Sequence, residues 1–241
     1  MEKYKENVKK FLLEYEIPIL WKWGTGLWRF QTKAQVNIDH QNKYIFIHIP
    51  KTAGTSVRSA LKTADFPHKS EGTRWIYHKH TPALTIKRNI SNSIWDSHFK
   101  FAFVRNPWDL MVSSYHWWLR KGKLFDKSTA QKATQVEQCS DFKEFLLSDF
   151  GSTHINEFEA KDLSHWLCDE NGEIIVDFVG KVENLERDLE YVFNQLGTSC
   201  PKLKVSNASQ RDIYQKYYDR ETKENIENRF KWTIETFNYE F

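Results

Sequence analysis

Tyr44-Ile-Phe-Ile-His-Ile-Pro-Lys-Thr-Ala-Gly-Thr-Ser-Val-Arg-Ser-Ala-Leu61 carries the reading of the whole chain. Tyr44 to Ile49 is a short apolar run rich in β-branched residues, the mark of a strand buried in a parallel sheet. Pro50 ends the ladder, and Lys51-Thr52-Ala53-Gly54-Thr55-Ser56 follow as a tight loop of small and hydroxyl-bearing residues. Val57 to Lys62 then resumes with helical composition. Strand, small-residue loop and helix together aim backbone N–H groups and the helix dipole at an anion. Lys51 adds a full positive charge, and the Thr and Ser hydroxyls add donors. The segment therefore points to a phosphate-bearing ligand; a purely structural turn is the plainer reading of such a loop taken alone.

The order of residues separates one phosphate loop from another. In the Walker A pattern G-x-x-x-x-G-K-[ST] the lysine stands at the helix end. Here Lys51 comes first, directly after the strand, and no glycine precedes it. His48-Ile-Pro-Lys-Thr-Ala-Gly-Thr-Ser56 closely resembles the 5′-phosphosulfate loop of sulfotransferases that use 3′-phosphoadenosine 5′-phosphosulfate (PAPS). Within them it is similar to the carbohydrate-type branch, which includes the heparan 2-O-sulfotransferases and many bacterial relatives. The resemblance implies an α/β, three-layer, P-loop-like fold with a central parallel sheet flanked by helices. It also implies that Lys51, Thr52, Ala53, Gly54, Thr55 and Ser56 surround the 5′-phosphosulfate.

A second motif stands where that family would place one: Phe99-Lys-Phe-Ala-Phe-Val-Arg105-Asn-Pro-Trp-Asp-Leu-Met-Val-Ser113-Ser-Tyr. Phe99 to Val104 reads as another strand. Asn106 is a good N-cap and Pro107 a good first helical residue, so the pattern predicts a helix running through Trp118. Arg105 then sits at the strand's carboxyl end and Ser113 in the second turn of the helix. A guanidinium there offers a planar fork suited to phosphate. The pair resembles the family's 3′-phosphate site, in which an arginine and a serine eight positions later hold the nucleotide; a strand-end arginine alone is more often a surface ion pair.

Sulfuryl transfer to a hydroxyl requires partial removal of the acceptor's proton, and histidine is the usual group for this near neutral pH. Of nine histidines, His78 and His80 lie between the two phosphate motifs, where carbohydrate-type relatives carry a His-x-His. The resemblance assigns the base to His80 and acceptor binding to His78. A surface histidine pair is the plainer reading, and Glu71 and Glu159 are the alternative bases. In-line attack on sulfur makes the 5′-phosphate leave with growing negative charge, and Lys51 and the loop N–H groups are aimed at it. The serine matched by Ser113 can also hold the lysine back in the family. No metal is required, and the released product is adenosine 3′,5′-bisphosphate (PAP).

Length and composition agree with one enzyme domain over residues 1–241. At 241 residues the chain can bury a large core. A net charge of +3, from 35 basic and 32 acidic residues, does not point to nucleic acid. Cys139, Cys168 and Cys200 have no metal-ligand spacing and read as reduced thiols. Met1 to Glu16 is charged and helix-like, without a signal-peptide core, and no apolar run approaches the roughly 18 residues of a membrane span. The expectation is a soluble, cytoplasmic protein with no membrane anchor. Its partners would be the nucleotide cosubstrate and a saccharide or small-molecule acceptor.

The rest of the chain alternates strand and helix signals without repeats. Gln31 to Asn42 reads as a strand and turn, Asp65 to Arg74 as loop, and Lys79 to Asn89 as a helix with Pro82 near its start. Lys121 to Ser140 is polar and reads as a mobile surface loop. Asp141 to Ser148 reads as a helix capped by Asp141 and Glu144. Thr153 to Asp169, with His154, His165 and Trp166, is a candidate wall of the acceptor cleft, and Asn171-Gly172 predicts a hairpin between Trp166–Cys168 and Ile174–Val176. Asp177 to Phe193 reads as a strand and an acidic-fronted helix in which Glu183 is structural. By resemblance, Lys204, Asn207 and Ser209 belong to a loop closing over the adenosine and 3′-phosphate, ahead of a helical end from Tyr214 to Phe241. Trp21, Trp23, Trp28, Trp117 and Trp118 can stack on planar acceptors but read better as packing. Two rival functions are a P-loop-like kinase or nucleotidase, against which the loop order argues, and a non-catalytic PAP-binding protein, against which the joint presence of Lys51, His80, Arg105 and Ser113 argues.

Overall fold

The computed structural model describes residues 38–67, 79–121, 127–202 and 211–241. The edge strand β1 (Ile38–Asp39) turns into β2 (Tyr44–Ile47), and the buried Asp39 carboxylate holds the turn by accepting from the Gln41 and Asn42 N–H groups, each at 3.0 Å. The chain continues through α1 (Gly54–Thr63), α2 (Ala83–Asn89), α3 (Asn92–Ser97), β3 (Phe99–Val104) and α4 (Pro107–Lys121). It then forms α5 (Lys127–Gln138), α6 (Phe142–Leu147), α7 (Asp149–Thr153), the short antiparallel pair β4 (His154–Ile155) and β5 (Phe158–Glu159), and α8 (Ser164–Leu167). Last come β6 (Phe178–Lys181), a 3₁₀ turn at Val182–Asn184, α9 (Leu185–Gln195), a 3₁₀ turn at Tyr214–Tyr217, α10 (Arg220–Arg229) and α11 (Lys231–Phe237).

The main sheet has the order β1-β2-β3-β6. β2, β3 and β6 run parallel, with Tyr44 beside Phe99 and Phe101 beside Phe178, and only β1 is antiparallel. The alternation of side chains sorts the two faces by chemistry. Tyr44, Phe46, Phe101 and Phe103 pack with Val57, Ala60 and Leu61 of α1 and Leu189, Val192 and Phe193 of α9. Ile45, Ile47, Ala102 and Val104 face the larger core, with Met111 and Trp118 of α4 and Phe145 of α6. Helices on both faces oblige the strands to be apolar throughout, as the sequence reads. The mixed α/β architecture with its central parallel strands is the expected one. Among the described residues no helix is long and apolar enough to cross a membrane.

Three local expectations need correction. The polar stretch 121–140 contains α5, not a loop over its whole length. Its apolar stripe is thin but correctly spaced, with Thr129, Ala133 and Val136 buried on one face, and small side chains were enough to dock it. The hairpin at Asn171-Gly172 shrinks to a single bridge, Cys168 to Ile174, because Trp166 and Leu167 belong to α8 and are buried in the core. The helical end is broken twice. Asp219 starts α10 with a capping box to Thr222, and Phe230, fully buried, marks the join to α11. The N-terminal segment with Trp21, Trp23 and Trp28 lies outside the described residues.

At the amino end of the parallel strands, His98 is buried, with Nε2 3.1 Å from His40 Nδ1 and Nδ1 3.1 Å from Ser97 Oγ. Burial above all, then the nearby His40, Lys43 and Lys100 charges, hold its pKa below the usual 6.5. Burial lowers His116, His154 and His165 in the same direction. A histidine with a depressed folded pKa takes up its proton more readily when unfolded, so stability is lost as pH falls below 6.5 toward the folded value. The urea midpoint is therefore expected to drop between pH 7.5 and about 5.5, and His98→Asn should make that drop shallower. A midpoint that holds constant over this interval would contradict the burial of these rings.

Candidate active site

Beyond β2 the backbone makes a tight curl. Lys51 (φ 64°) and Ala53 (φ 58°) are both left-handed, a conformation costing a non-glycine residue about 1–2 kcal/mol. Between them Thr52 is fully buried, its Oγ1 donating to the Ile49 carbonyl at 2.9 Å. Thr52 thus spends its hydroxyl hydrogen on the loop itself. Ala53 is the N-cap of α1, and its carbonyl accepts from Ser56 and Val57 N–H at 2.8 and 3.1 Å. The helix begins three residues earlier than its composition predicts, so Gly54, Thr55 and Ser56 form its first turn. The N–H groups of Gly54 and Thr55 precede the first intrahelical bonds and point out along the axis. With Lys51 alongside, this end of α1 has the chemistry to receive an anion.

The glycine is dictated by His48. A Cβ at Gly54 would fall inside the His48 imidazole, which is packed under the first turn. That ring stacks on Phe46 with centroids 5.5 Å apart, and its Nδ1 accepts from Arg58 Nε at 3.1 Å. Burial brings the Arg58 guanidinium down to about 10, so it remains charged at neutral pH. On the other side of His48 lies His80, its ring centroid 4.3 Å away. His80 Nδ1 is 2.7 Å from the His48 carbonyl oxygen. A carbonyl only accepts, so Nδ1 carries the proton, and neutral His80 keeps its lone pair on Nε2. Trp166 Nε1 donates to the His80 carbonyl at 2.9 Å, and Phe158 meets the His80 ring edge-on at 5.2 Å. The buried His80 is therefore held from its ring and from its backbone.

The second motif joins the first through Arg105. Its Nη1 donates to the Lys51 carbonyl at 3.1 Å, and its Nε to Asp109 Oδ2 at 2.8 Å. Asp109 also pairs with Arg211. One carboxylate thus holds two guanidiniums, leaving net positive charge beside the loop. Asn106 caps α4 as expected, its Oδ1 accepting from Trp108 N–H at 3.1 Å. Glu183 accepts from Asn106 N–H at 2.7 Å and from Tyr239 hydroxyl at 3.1 Å, which agrees with its structural reading. Burial and the Glu183 charge raise the Tyr239 pKa well out of reach. Ser113 lies half-buried two turns into α4, and Lys51 Nζ stands 5.8 Å from the centre of the Trp117 ring.

The structure thus brings Lys51 to Ser56, His80 and Arg105 around one end of the parallel sheet. His78, Lys204, Asn207, Ser209 and Glu71 lie outside the described residues. Glu159 is exposed on β5, next to Phe158. Of the candidate cleft wall, Trp166 is fully buried and His154 stacks on Phe150 at 4.4 Å, so both serve packing. Three participants escaped the sequence reading. Asp109 was detectable as the residue one turn beyond Arg105, at helical salt-bridge spacing. His48 was quoted in the motif without a role, and Arg211 carried no local signal at all. Among the described residues no three His, Cys, Asp or Glu side chains cluster as a metal site.

The sequence model of the sulfotransferase family matches residues 34–240, and the chain belongs to that family. A protein of Archaeoglobus fulgidus, described as uncharacterized, is 31% identical over 116 residues, which is 48% of this chain and 82% of that protein. No solved structure matches the chain.

Gly54→Ala should displace the His48 ring and destabilise the protein by about 1–3 kcal/mol, the usual cost of overfilling a packed site. His48→Ala placed on top of it should recover part of that loss. Urea midpoints of the four proteins give the comparison, and an unperturbed Gly54→Ala would contradict the packing described.

Proposed function

We propose that this chain is a single-domain, PAPS-dependent sulfotransferase of the carbohydrate-type branch. It moves a sulfuryl group from PAPS to a hydroxyl or amine of a saccharide or small molecule. The observation that carries this reading is the bond from Arg105 to the Lys51 carbonyl. It ties an anion-receiving helix start to a pair of guanidiniums, as a nucleotide with phosphates at both its 5′ and 3′ positions demands. Lys51 and the backbone of Thr52 to Ser56 would take the 5′-phosphosulfate. Arg105, with Arg211 beside it across Asp109 and Ser113 on α4, would take the 3′-phosphate, and Lys204, Asn207 and Ser209 would close over the adenosine.

In the transfer, the acceptor oxygen or nitrogen attacks sulfur while the bond from sulfur to the 5′-phosphate oxygen breaks. Lys51 stabilises the charge that grows on that oxygen; a donor of this kind is typically worth about 3–4 kcal/mol of barrier. His80 receives the acceptor's proton on Nε2, the nitrogen left basic by the His48 carbonyl. The imidazolium so formed keeps its Nδ1–H bond to that carbonyl, which suits a positive ring. His78 would contact the acceptor. No step calls for a metal ion.

Titration with PAP, adenosine 5′-phosphate and ATP tests the nucleotide. PAP should bind far more tightly than the other two, and Arg105→Ala should remove most of that preference. Equal affinity for PAP and adenosine 5′-phosphate would overturn the assignment of a 3′-phosphate site and leave the kinase-like alternative standing.

A histidine base must be neutral to act, so turnover with a hydroxyl acceptor should rise with pH through the His80 pKa in the complex. His80→Ala should flatten that limb and lower turnover by roughly 10²–10⁴-fold while PAP affinity stays near normal. Retention of both the rate and the profile would move the base to Glu71 or Glu159.

A further inference from the structure

We propose that Trp117 is the positioning residue for Lys51, its indole face confining the lysine's ammonium to the α4 side of the phosphate loop. Lys51 Nζ lies 5.8 Å from the centre of the Trp117 ring. That is within the distance over which a cation is drawn to an aromatic face, and tryptophan is the strongest ring for such a contact. The ring is itself braced: it meets Trp118 edge-on with centroids 4.9 Å apart, and Trp118 is 1% exposed. A flexible stem thus ends on a rigid surface. Lysine has four methylenes' worth of rotamer freedom to lose when its ammonium is put to use, and a ring that already limits the range removes part of that loss.

Sequence position adds direction. Trp117 stands one helical turn beyond Ser113, so the two share a face of α4. The ring therefore draws the ammonium toward the side that bears Ser113. An ammonium–phosphate hydrogen bond is stronger than an ammonium–indole contact, so Trp117 sets the position of Lys51 without competing successfully against phosphoryl oxygens. The consequence for nucleotide binding rests on the PAPS reading of the loop; the contact itself does not.

Two measurements test it. In protein labelled with ¹³C-lysine, the Lys51 ε-methylene signal, assigned by its loss in Lys51→Arg, should lie upfield of the other lysines through the indole ring current. It should return to the bulk position in Trp117→Leu and stay partly displaced in Trp117→Phe. A Lys51 signal at the bulk position in the wild type, or one unmoved by Trp117→Leu, overturns the proposal whatever nucleotide the protein binds. By calorimetry, Trp117→Leu should weaken PAP binding about 2–5-fold and Trp117→Phe less, and Trp117→Leu should have no effect on top of Lys51→Ala. Equal losses in the two backgrounds would give the ring a packing role only and overturn the proposal. Failure of the wild type to bind PAP would instead overturn the nucleotide reading, with the lysine signal still deciding the role of Trp117.

Discussion

The hydrogen bond from Arg105 to the Lys51 carbonyl is the contact on which the rest of the site depends. It spans the carboxyl ends of β2 and β3, neighbours in the sheet, and it engages the carbonyl of the left-handed Lys51. A left-handed lysine costs about 1–2 kcal/mol, and a hydrogen bond donated by a charged group contributes about 1.5–3 kcal/mol. The two magnitudes are comparable, so the bond from Arg105 can offset the left-handed backbone at Lys51, beside the Thr52 bond that also holds the curl. Asp109 in turn keeps the guanidinium from swinging away and Arg211 shares that carboxylate, so strain at one strand end is offset by charge at the next.

The parallel sheet is what makes this coupling possible. Parallel strands put all their carboxyl ends on one side, and the loops leaving them converge. β6 contributes to the same end, where Glu183 just beyond it accepts from Asn106 at the start of α4. The two sheet faces have separate tasks. The aromatic face, with α1 and α9, fixes the axis of the helix whose first turn would receive the anion in the proposed function, and the aliphatic face carries α4 and the buried Trp118 beside Trp117. A helix start can direct its N–H groups only as well as its buried side is packed. The Phe46–Phe101 stack, 5.1 Å between centroids, lies directly beneath that packing.

What the sequence revealed and what it concealed divide along a physical line. Strands β2 and β3, the Asn106-Pro107 helix start and the Asp141 cap were legible because each follows from neighbours within a few residues: an apolar run, a cap, a turn residue. The start of α1 was misplaced because Gly54, Thr55 and Ser56 are poor helix formers that tertiary contact makes helical. Helix α5 was missed because its buried stripe consists of small side chains that read as surface. Arg211 reaches Asp109 across 102 residues of chain, and no periodicity announces such a pairing. The role of His48 was hidden for a different reason: it acts on Gly54 by shape and on His80 through its main-chain oxygen, and a carbonyl looks the same in every residue.

That last point bears on how the site would discriminate among protons. His80 lies against the His48 and Phe158 rings, its own carbonyl accepts from Trp166, and its Nδ1 meets the His48 carbonyl, a neutral group. A carboxylate partner would stabilise the imidazolium and raise the basicity of Nε2; a carbonyl fixes the tautomer with a much smaller electrostatic effect. If His80 is the base, as proposed, its bond to the carbonyl would suit a ring that is neutral before the reaction and charged as the acceptor's proton leaves. With Lys51, Arg105, Arg211 and Arg58 concentrated around the loop, a permanently protonated His80 would add one more positive charge to a site already rich in them. In the proposed reaction, a ring held by a neutral oxygen would take up its proton as negative charge arrives on the nucleotide side.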